Sequence, residues 1–263
     1  MKGKINYMNK EFLKQLKNSL KDIMKENNFK INGQSYVRII NKQIIQNINF
    51  QGFSGGDSFT INMGITPICS YELPCLHNPL IRIGNLFCGG DKGWNYSENS
   101  LDEVIDIIKS KVLPLLNKLS DYDKIYEELK TEIDEIPREN KSWSNKKTIL
   151  YYSIGENSMF WLCIRNNDYD KCRILLKNQK KVNENWLNSC LESSERDIKN
   201  TQSKKYKKIF EDYKKNYIEI AKKESIRIEN LEELLNNKEF EKLISITKEF
   251  EEKNLNTLKK YVI

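Results

Sequence analysis

Ile44-Ile45-Gln46-Asn47-Ile48-Asn49-Phe50-Gln51-Gly52-Phe53, then Ser54-Gly55-Gly56-Asp57-Ser58, then Phe59-Thr60-Ile61-Asn62-Met63-Gly64-Ile65, is the stretch that decides the fold of this 263-residue chain. Apolar and polar side chains alternate in both outer runs, which is the period of a β-strand. The Gly-Gly between them predicts a hairpin with a loop of about five residues. Ile44, Ile48, Phe50, Phe59, Ile61, Met63 and Ile65 share one face. The opposite face carries Asn47, Asn49, Gln51, Thr60 and Asn62. Asn is depleted in strands, so side-chain amides concentrated on one face run against propensity. An ordinary wet side of an antiparallel sheet explains them. So does a surface that donates and accepts hydrogen bonds to a ligand.

Outward from the hairpin, residues 9–26 read as an amphipathic helix with Phe12, Leu13, Leu16, Leu20, Ile23 and Met24 on one side. Ser35–Ile40 predicts a strand before Ile44, and Leu80-Ile81-Arg82-Ile83-Gly84 a fourth short one after a proline-rich loop. Alternation would place Arg82 with the amides, where its fork could clamp a carboxylate or phosphate. Cys88–Trp94 reads as a glycine-rich loop ending on an aromatic. Ser100 with Glu103 predicts a capping box, Pro114 a kink or break, and Ser120 the start of a further helix.

Pro137 and the polar residues to Lys147 suggest a linker, dividing the chain into 1–137 and 148–263. Beyond it everything reads as helix, beginning with a hairpin of Tyr151–Ile164 and Tyr169–Leu176 around Asn166-Asn167-Asp168. That turn is echoed by Asn236-Asn237-Lys238. Tyr169, Tyr206 and Phe240 stand 37 and 34 apart, near the period of tetratricopeptide-type helix pairs. Trp143, Trp161 and Trp186 are expected to anchor helix packing. The fold class is therefore α+β: a small antiparallel sheet with flanking helices, followed by an all-α C-terminal region.

The net charge of +7 is unevenly placed. Residues 1–30 hold eight Lys against three acids, whereas residues 31–99 hold four basic and four acidic residues. A sheet that bound nucleic acid would need a local basic stripe, so nucleic acid is not the expected partner. No run approaches the ~18 apolar residues that cross a bilayer. With no apolar segment behind the first lysines to read as a signal peptide, a cytoplasmic protein is expected. Its six cysteines then read as free thiols.

Cys69, Cys75, His77 and Cys88 have the chemistry of zinc ligands, but their gaps of five, one and ten residues contain no Cys-x₂-Cys knuckle. Buried thiols and a surface histidine are the simpler reading. A Cys–His nucleophile built from the adjacent Cys75 and His77 is likewise disfavoured, because such pairs usually come from distant segments. Gly89-Gly90-Asp91-Lys92-Gly93 lacks the pattern of a phosphate-binding loop. No metal or cofactor is expected.

Residues 9–120 resemble an uncharacterised bacterial domain family of unknown function. The resemblance rests on the leading helix, Asn28-Phe29-Lys30, a Tyr-bearing strand, Asn49-Phe50-Gln51, Phe59-Thr60-Ile61-Asn62-Met63-Gly64, Arg82-Ile83-Gly84, and Trp94 before a helix. Asn28 stands where that family tends to have Gly, and Gly93-Trp94 where it commonly has two Trp. The resemblance implies an α+β fold and no particular activity. Members are similar in setting to bacterial immunity proteins that neutralise toxins. The functional expectation is a non-enzymatic intracellular protein that binds another protein, with a toxin inhibitor of the immunity type as its narrower form. Asn47, Asn49, Gln51, Thr60, Asn62, Arg82 and Trp94 would form its recognition surface. The competing expectation is a small-molecule or nucleic-acid-processing enzyme using the amide face and Arg82.

Overall fold

Alternation of apolar side chains builds the sheet, and 3.6-residue periodicity supplies the helices that cover it. The computed structural model describes residues 9–53, 56–71, 81–135 and 146–258. Helix α1 (Lys10–Glu26) is capped by Asn9, whose side chain accepts from the Glu11 and Phe12 amides. Strands β1 (Lys30–Asn32), β2 (Ser35–Ile40), β3 (Ile44–Gly52), β4 (Ser58–Pro67) and β5 (Ile81–Arg82) follow. They pair antiparallel in the order β1-β2-β3-β4-β5, and β6 (Trp94–Asn95) also pairs with β4. Among the described residues six strands therefore stand where four were expected.

Ile83 and Gly84, expected to end the fourth strand, instead open helix α2 (Ile83–Phe87). Gly84 lies so close to the following loop that an added Cβ would sit 2.5 Å from the Lys92 nitrogen. Next come α3 (Glu98–Ile107), a π-helical turn at Ile108–Val112, and α4 (Leu113–Lys118). The break falls just ahead of Pro114, whose ring and missing N–H disrupt the i→i−4 ladder. Ser97, not Ser100, caps α3, and Asp121 caps α5 (Tyr122–Asp134).

The apolar face of the hairpin is buried as expected: Ile44, Ile48, Phe50, Phe59, Ile61, Met63 and Ile65 are all at 0% exposure. Leu16 and Leu20 of α1 complete the same core, each worth about 1.5–3 kcal/mol of burial. The other face is not left open along its length. Val37, Ile39, Ile45 and Ile68 pack there against Leu255 and Leu258 from the chain's far end. Asn254 fixes that cover by donating to the carbonyls of Ile68 (2.8 Å) and Ser70 (2.9 Å).

Most of the stretch from Pro137 to Lys147 lies outside the described residues. Apolar packing nonetheless crosses it, because one core cluster runs from Phe12 to Leu243. Helix α6 (Lys146–Ile154) ends at Gly155, whose φ of 83° turns the chain into α7 (Glu156–Arg165). Helices α8 (Tyr169–Asn200), α9 (Lys204–Asn236) and α10 (Phe240–Thr257) complete the chain. The second helix of the expected hairpin thus continues 24 residues past Leu176.

The two Asn-Asn turns share a geometry. Asn167 and Lys238 both take positive φ, 55° and 58°. Asp168 N bonds Cys163 O at 3.0 Å, and Glu239 N bonds Leu234 O at 2.9 Å, the closing bond of a Schellman-type turn in each case. Tyr169 and Phe240, the residues that open the next helices, stack with centroids 3.7 Å apart. Tyr206 lies at the tip of the long hairpin and shares none of this. The period is therefore that of two matched helical hairpins, α7–α8 and α9–α10, with helices too long for a tetratricopeptide array.

Candidate functional site

Register places the amide residues on one face, as alternation requires: Asn49 opposite Asn62, Gln51 opposite Thr60, and Asn62 opposite Arg82. Their polar groups are directed at one another. Asn62 Nδ2 donates to Asn49 Oδ1 (3.3 Å) and Gln51 Oε1 (3.1 Å), and Asn49 Nδ2 donates to Ser35 Oγ (2.9 Å). Thr60 Oγ1 donates to the Lys92 carbonyl at 3.4 Å. Asn47, Thr60 and Asn62 are buried, Asn49 is half-buried, and Gln51 is exposed. A ladder of this kind satisfies amides that would each cost about 1–3 kcal/mol if buried unmet. It accounts for Asn49 and Asn62 in strands without invoking a ligand, whereas Asn47, opposite Gly64, is not part of the ladder.

Arg82 and Trp94 also stand apart from their expected roles. The Arg82 guanidinium is paired with Asp91 and lies 5.4 Å from the Phe53 ring centroid, so its fork is already engaged. Trp94 is 2% exposed, with its ring 6.2 Å from Phe59, its strand partner. It belongs to the core and not to a contact surface. The glycine loop before it folds onto α2, with Gly90 N bonded to Gly84 O, and Lys92 pairs with Glu103. Cys69 is fully buried, and burial pushes its thiol well above the usual range. Cys88 is exposed, while Cys75 and His77 lie outside the described residues. No group of three metal-ligating side chains occurs among the described residues.

A second location has what the sheet face lacks. Helices α8 and α9 run side by side for 32 and 33 residues, roughly 48 Å at 1.5 Å per residue. Cys172, Leu175 and Leu176 bury the base of α8, and Ile228, Leu231 and Leu235 that of α9. Farther out the pair forms an arm. Asn183 Nδ2 ties the two helices by donating to Ala221 O (2.9 Å) and Ser225 Oγ (3.1 Å). Trp186 meets Tyr217 edge-on at 5.7 Å.

At the root of the arm two adjoining hollows, of about 450 and 460 Å³, share Asn183, Trp186, Glu224 and Arg227. Tyr71 and Ile220 close one side of this cleft, and the start of α7 (Gly155–Asn157) the other. Arg227 is held by Glu224, which accepts from Nε at 2.9 Å and from Nη2, and by Gln179 Oε1, 2.9 Å from Nη2. Its guanidinium also lies 5.5 Å from the Tyr71 centroid. Three polar atoms on the cleft's residues make no hydrogen bond within the protein: Arg227 Nη1, Gln179 Nε2 and Asn157 Oδ1. They come from α9, α8 and α7, and all three are buried beneath the surface of the cleft.

Sequence reading assigned Trp186 to helix packing; it does pack against Tyr217 across α8 and α9, and its remaining 37% exposure lies at this cleft. Trp161, at 1%, does anchor the packing, and Trp143 lies outside the described residues. One signal pointed here: Arg227 is the single arginine in a lysine-rich helix, and a fixed fork is harder to replace than a lysine.

No helix of the described residues is long and apolar enough to cross a membrane. No protein-family model, no curated protein and no solved structure matches this chain.

Proposed function

We propose that this chain is a protein-binding module that recognises polypeptide through the helical arm and the cleft at its root. The observation that carries the reading is the open cleft at the root of the arm, where Val182, Trp186 and Ile220 stay exposed beside a guanidinium held in place by its neighbours. Trp and Arg are the residue types that most often dominate binding energy at protein interfaces. The guanidinium is pre-positioned by Glu224 and Gln179, so little side-chain entropy remains to be lost on binding. An immunity-type inhibitor is the narrower form of this reading, in which the partner is a toxin. The resemblance of residues 9–120 to an uncharacterised bacterial domain family is compatible with it.

The test is affinity capture from the cells that make the protein, comparing the tagged full chain with Trp186→Ala, Arg227→Ala and Arg82→Ala. The first two substitutions are expected to remove the specific partner, and Arg82→Ala to retain it. Capture that survives both cleft substitutions and fails with Arg82→Ala returns the site to the sheet face.

A further inference from the structure

The basic stripe that the sheet lacks lies on α1. Lys10, Lys14, Lys17, Lys21 and Lys25 stand four, three, four and four residues apart, which at about 100° per residue puts all five within an arc of roughly 80°. The row runs for about 22 Å at 1.5 Å per residue. Lys10, Lys14, Lys21 and Lys25 are exposed, and Lys17 is half-buried with its ammonium donating to the Gly33 carbonyl at 2.6 Å. The three acids of the helix, Glu11, Asp22 and Glu26, fall outside that arc. Among the described residues no carboxylate pairs with any of the five, although Glu11 and Asp22 sit three residues before Lys14 and Lys25. The same spacing does give ion pairs at α5, Asp121 with Lys124 and Glu127 with Lys130. A helix face that meets only water does best with mixed signs, because like charges three or four residues apart destabilise the helix. On α1 all four successive neighbours along the row are alike.

We propose that this row binds the phosphate backbone of double-stranded nucleic acid, on a surface separate from the arm and its cleft. Composition selects that occupant over a protein, because interfaces between proteins favour Arg and aromatic residues and are depleted of Lys. The row is lysine alone. A helix held at a lipid surface buries an apolar face in it, whereas Phe12, Leu16, Leu20 and Met24 are buried in this protein's own core. A single strand is held by stacking its bases on aromatic rings, and α1 exposes none. A duplex instead offers one negative charge per ~1.7 Å of axis, about 13 over the length of the row. Phosphate contacts carry no sequence information, so duplexes of different base composition, and DNA and RNA duplexes alike, are expected to bind within about threefold of one another.

The arm tip is the other lysine-rich surface, and its geometry differs. Lys204, Lys205, Lys207 and Lys208 spread over about 160° of α9. Glu211 and Asp212 follow within a turn, and Lys214 is paired with Glu195 at 2.6 Å. The tip therefore forms no comparable row, and it serves as the internal control for net charge.

Fluorescence anisotropy of the full chain with a labelled random-sequence DNA duplex of ~20 base pairs, across ~25–300 mM KCl, tests this. At about −0.9 per lysine contact, four to five contacts give a slope of log Kobs against log salt of about −3.6 to −4.5, a loss of ~150–500-fold between 50 and 200 mM. Lys14→Gln combined with Lys21→Gln is expected to make the slope shallower by ~1.8 and to weaken binding at 50 mM at least ~10-fold. Removing the same two charges from the arm, by Lys204→Gln with Lys207→Gln, leaves the slope within ~0.5 of wild type. Glutamine keeps the helix propensity of lysine, and far-UV circular dichroism confirms that both variants are folded. Trp186→Ala and Arg227→Ala leave duplex binding as it is, so failure of the cleft and failure of this row are separate results. A slope shallower than about −2, or a loss that follows the arm variant and spares the α1 variant, overturns the proposal. So does tighter binding of a single strand of the same length, or displacement of the duplex by phosphatidylserine vesicles or polyglutamate at equal charge.

Discussion

Replacing Arg38 with methionine tests the account of the sheet most directly. Arg38 lies on the apolar face of β2, 3% exposed. Its Nε donates to Gln46 Oε1 (2.8 Å), Nη1 to the Asn27 carbonyl (2.8 Å) and Nη2 to Asn117 Oδ1 (2.6 Å). Gln46 in turn donates to the carbonyls of Leu116 (2.6 Å) and Leu119 (2.8 Å). The pair thus joins the ends of α1 and α4 to strands β2 and β3. Three hydrogen bonds from a charged donor are worth together at least about 5 kcal/mol at ~1.5–3 each. Burial also pulls the guanidinium down to about 10, so lost hydration offsets part of that gain. Methionine carries no such cost but leaves Gln46, at 0% exposure, without its donor. The net loss is therefore about 2–3 kcal/mol, which in a chain of this size lowers Tm by roughly 5–10 °C. Thermal unfolding followed by circular dichroism measures it. Arg38→Lys should fall between the two, since one ammonium cannot reach three acceptors spread around a planar fork. A Tm within about 2 °C of wild type for Arg38→Met would mean that the network contributes nothing net and the reasoning is wrong.

Gly84→Ala puts a Cβ 2.5 Å from Lys92 N and 2.7 Å from Gly90 O, both backbone atoms. The loop must move, at about 1–3 kcal/mol, and amide exchange at residues 88–93 is expected to rise while the arm is untouched. Trp94→Ala should cost about 3–5 kcal/mol as a core truncation; a variant with wild-type Tm that has lost capture would return Trp94 to the recognition surface. Tyr36, 1% exposed and donating to the Lys17 carbonyl at 3.2 Å, has its phenol pushed by burial from 10.0 up to about 12. The fold therefore favours the neutral phenol, and its contribution is present below pH 10 and lost as pH rises from 10 toward 12, where the unfolded chain ionises first. Tyr36→Phe should be about 1 kcal/mol less stable at pH 8, with that gap closing or reversing by pH 11.5 in denaturant titrations. Parallel curves for the two proteins at both pH values would refute the assignment.

What the sequence displayed was local. Period-two alternation placed Ile44–Phe53 and Phe59–Ile65 as paired strands with their apolar face buried, against Ile44–Gly52 and Ser58–Pro67 observed, and 3.6-residue spacing placed α1 within a residue or so. What it hid was long-range. The cover on the second face comes from Asn254, Leu255 and Leu258, nearly two hundred residues beyond the strands they touch, and nothing within the strands announces it. A wet face was the reasonable default for an antiparallel pair. Arg38 and Gln46 could have been noticed, since both occupy positions that alternation assigns to the core, where a polar side chain needs a partner. Amides on the opposite face drew attention because they contradict propensity, and for Asn49, Gln51 and Asn62 the explanation is that they bond across the strands. The length of α8 was missed because its apolar residues thin out beyond Leu176. A better guide was available: after Gly155 the chain contains neither glycine nor proline, so nothing interrupts a helix except a capped turn.

The repeated Asn-Asn turn explains why a cleft exists at the root of so long an arm. Two antiparallel helices alone would leave the angle at their base undetermined. Here α8 is entered through the turn after α7, and α9 leaves through the matching turn before α10. Tyr169 stacked on Phe240 locks the two turns together. Arg173 Nη2 adds a bond to the Leu235 carbonyl (3.3 Å), Arg165 pairs with Glu251 (2.8 Å), and Trp161 packs edge-on against Phe250 at 5.1 Å. With both hairpins fixed at the body, Gln179 and Arg227 are held opposite each other and opposite Asn157 on the incoming turn of α7. Polar groups on separate helices stay unpaired within the protein only if the helices cannot slide to satisfy them. The rigidity that leaves these buried atoms without internal partners is thus the same rigidity that keeps the cleft above them open beside Trp186.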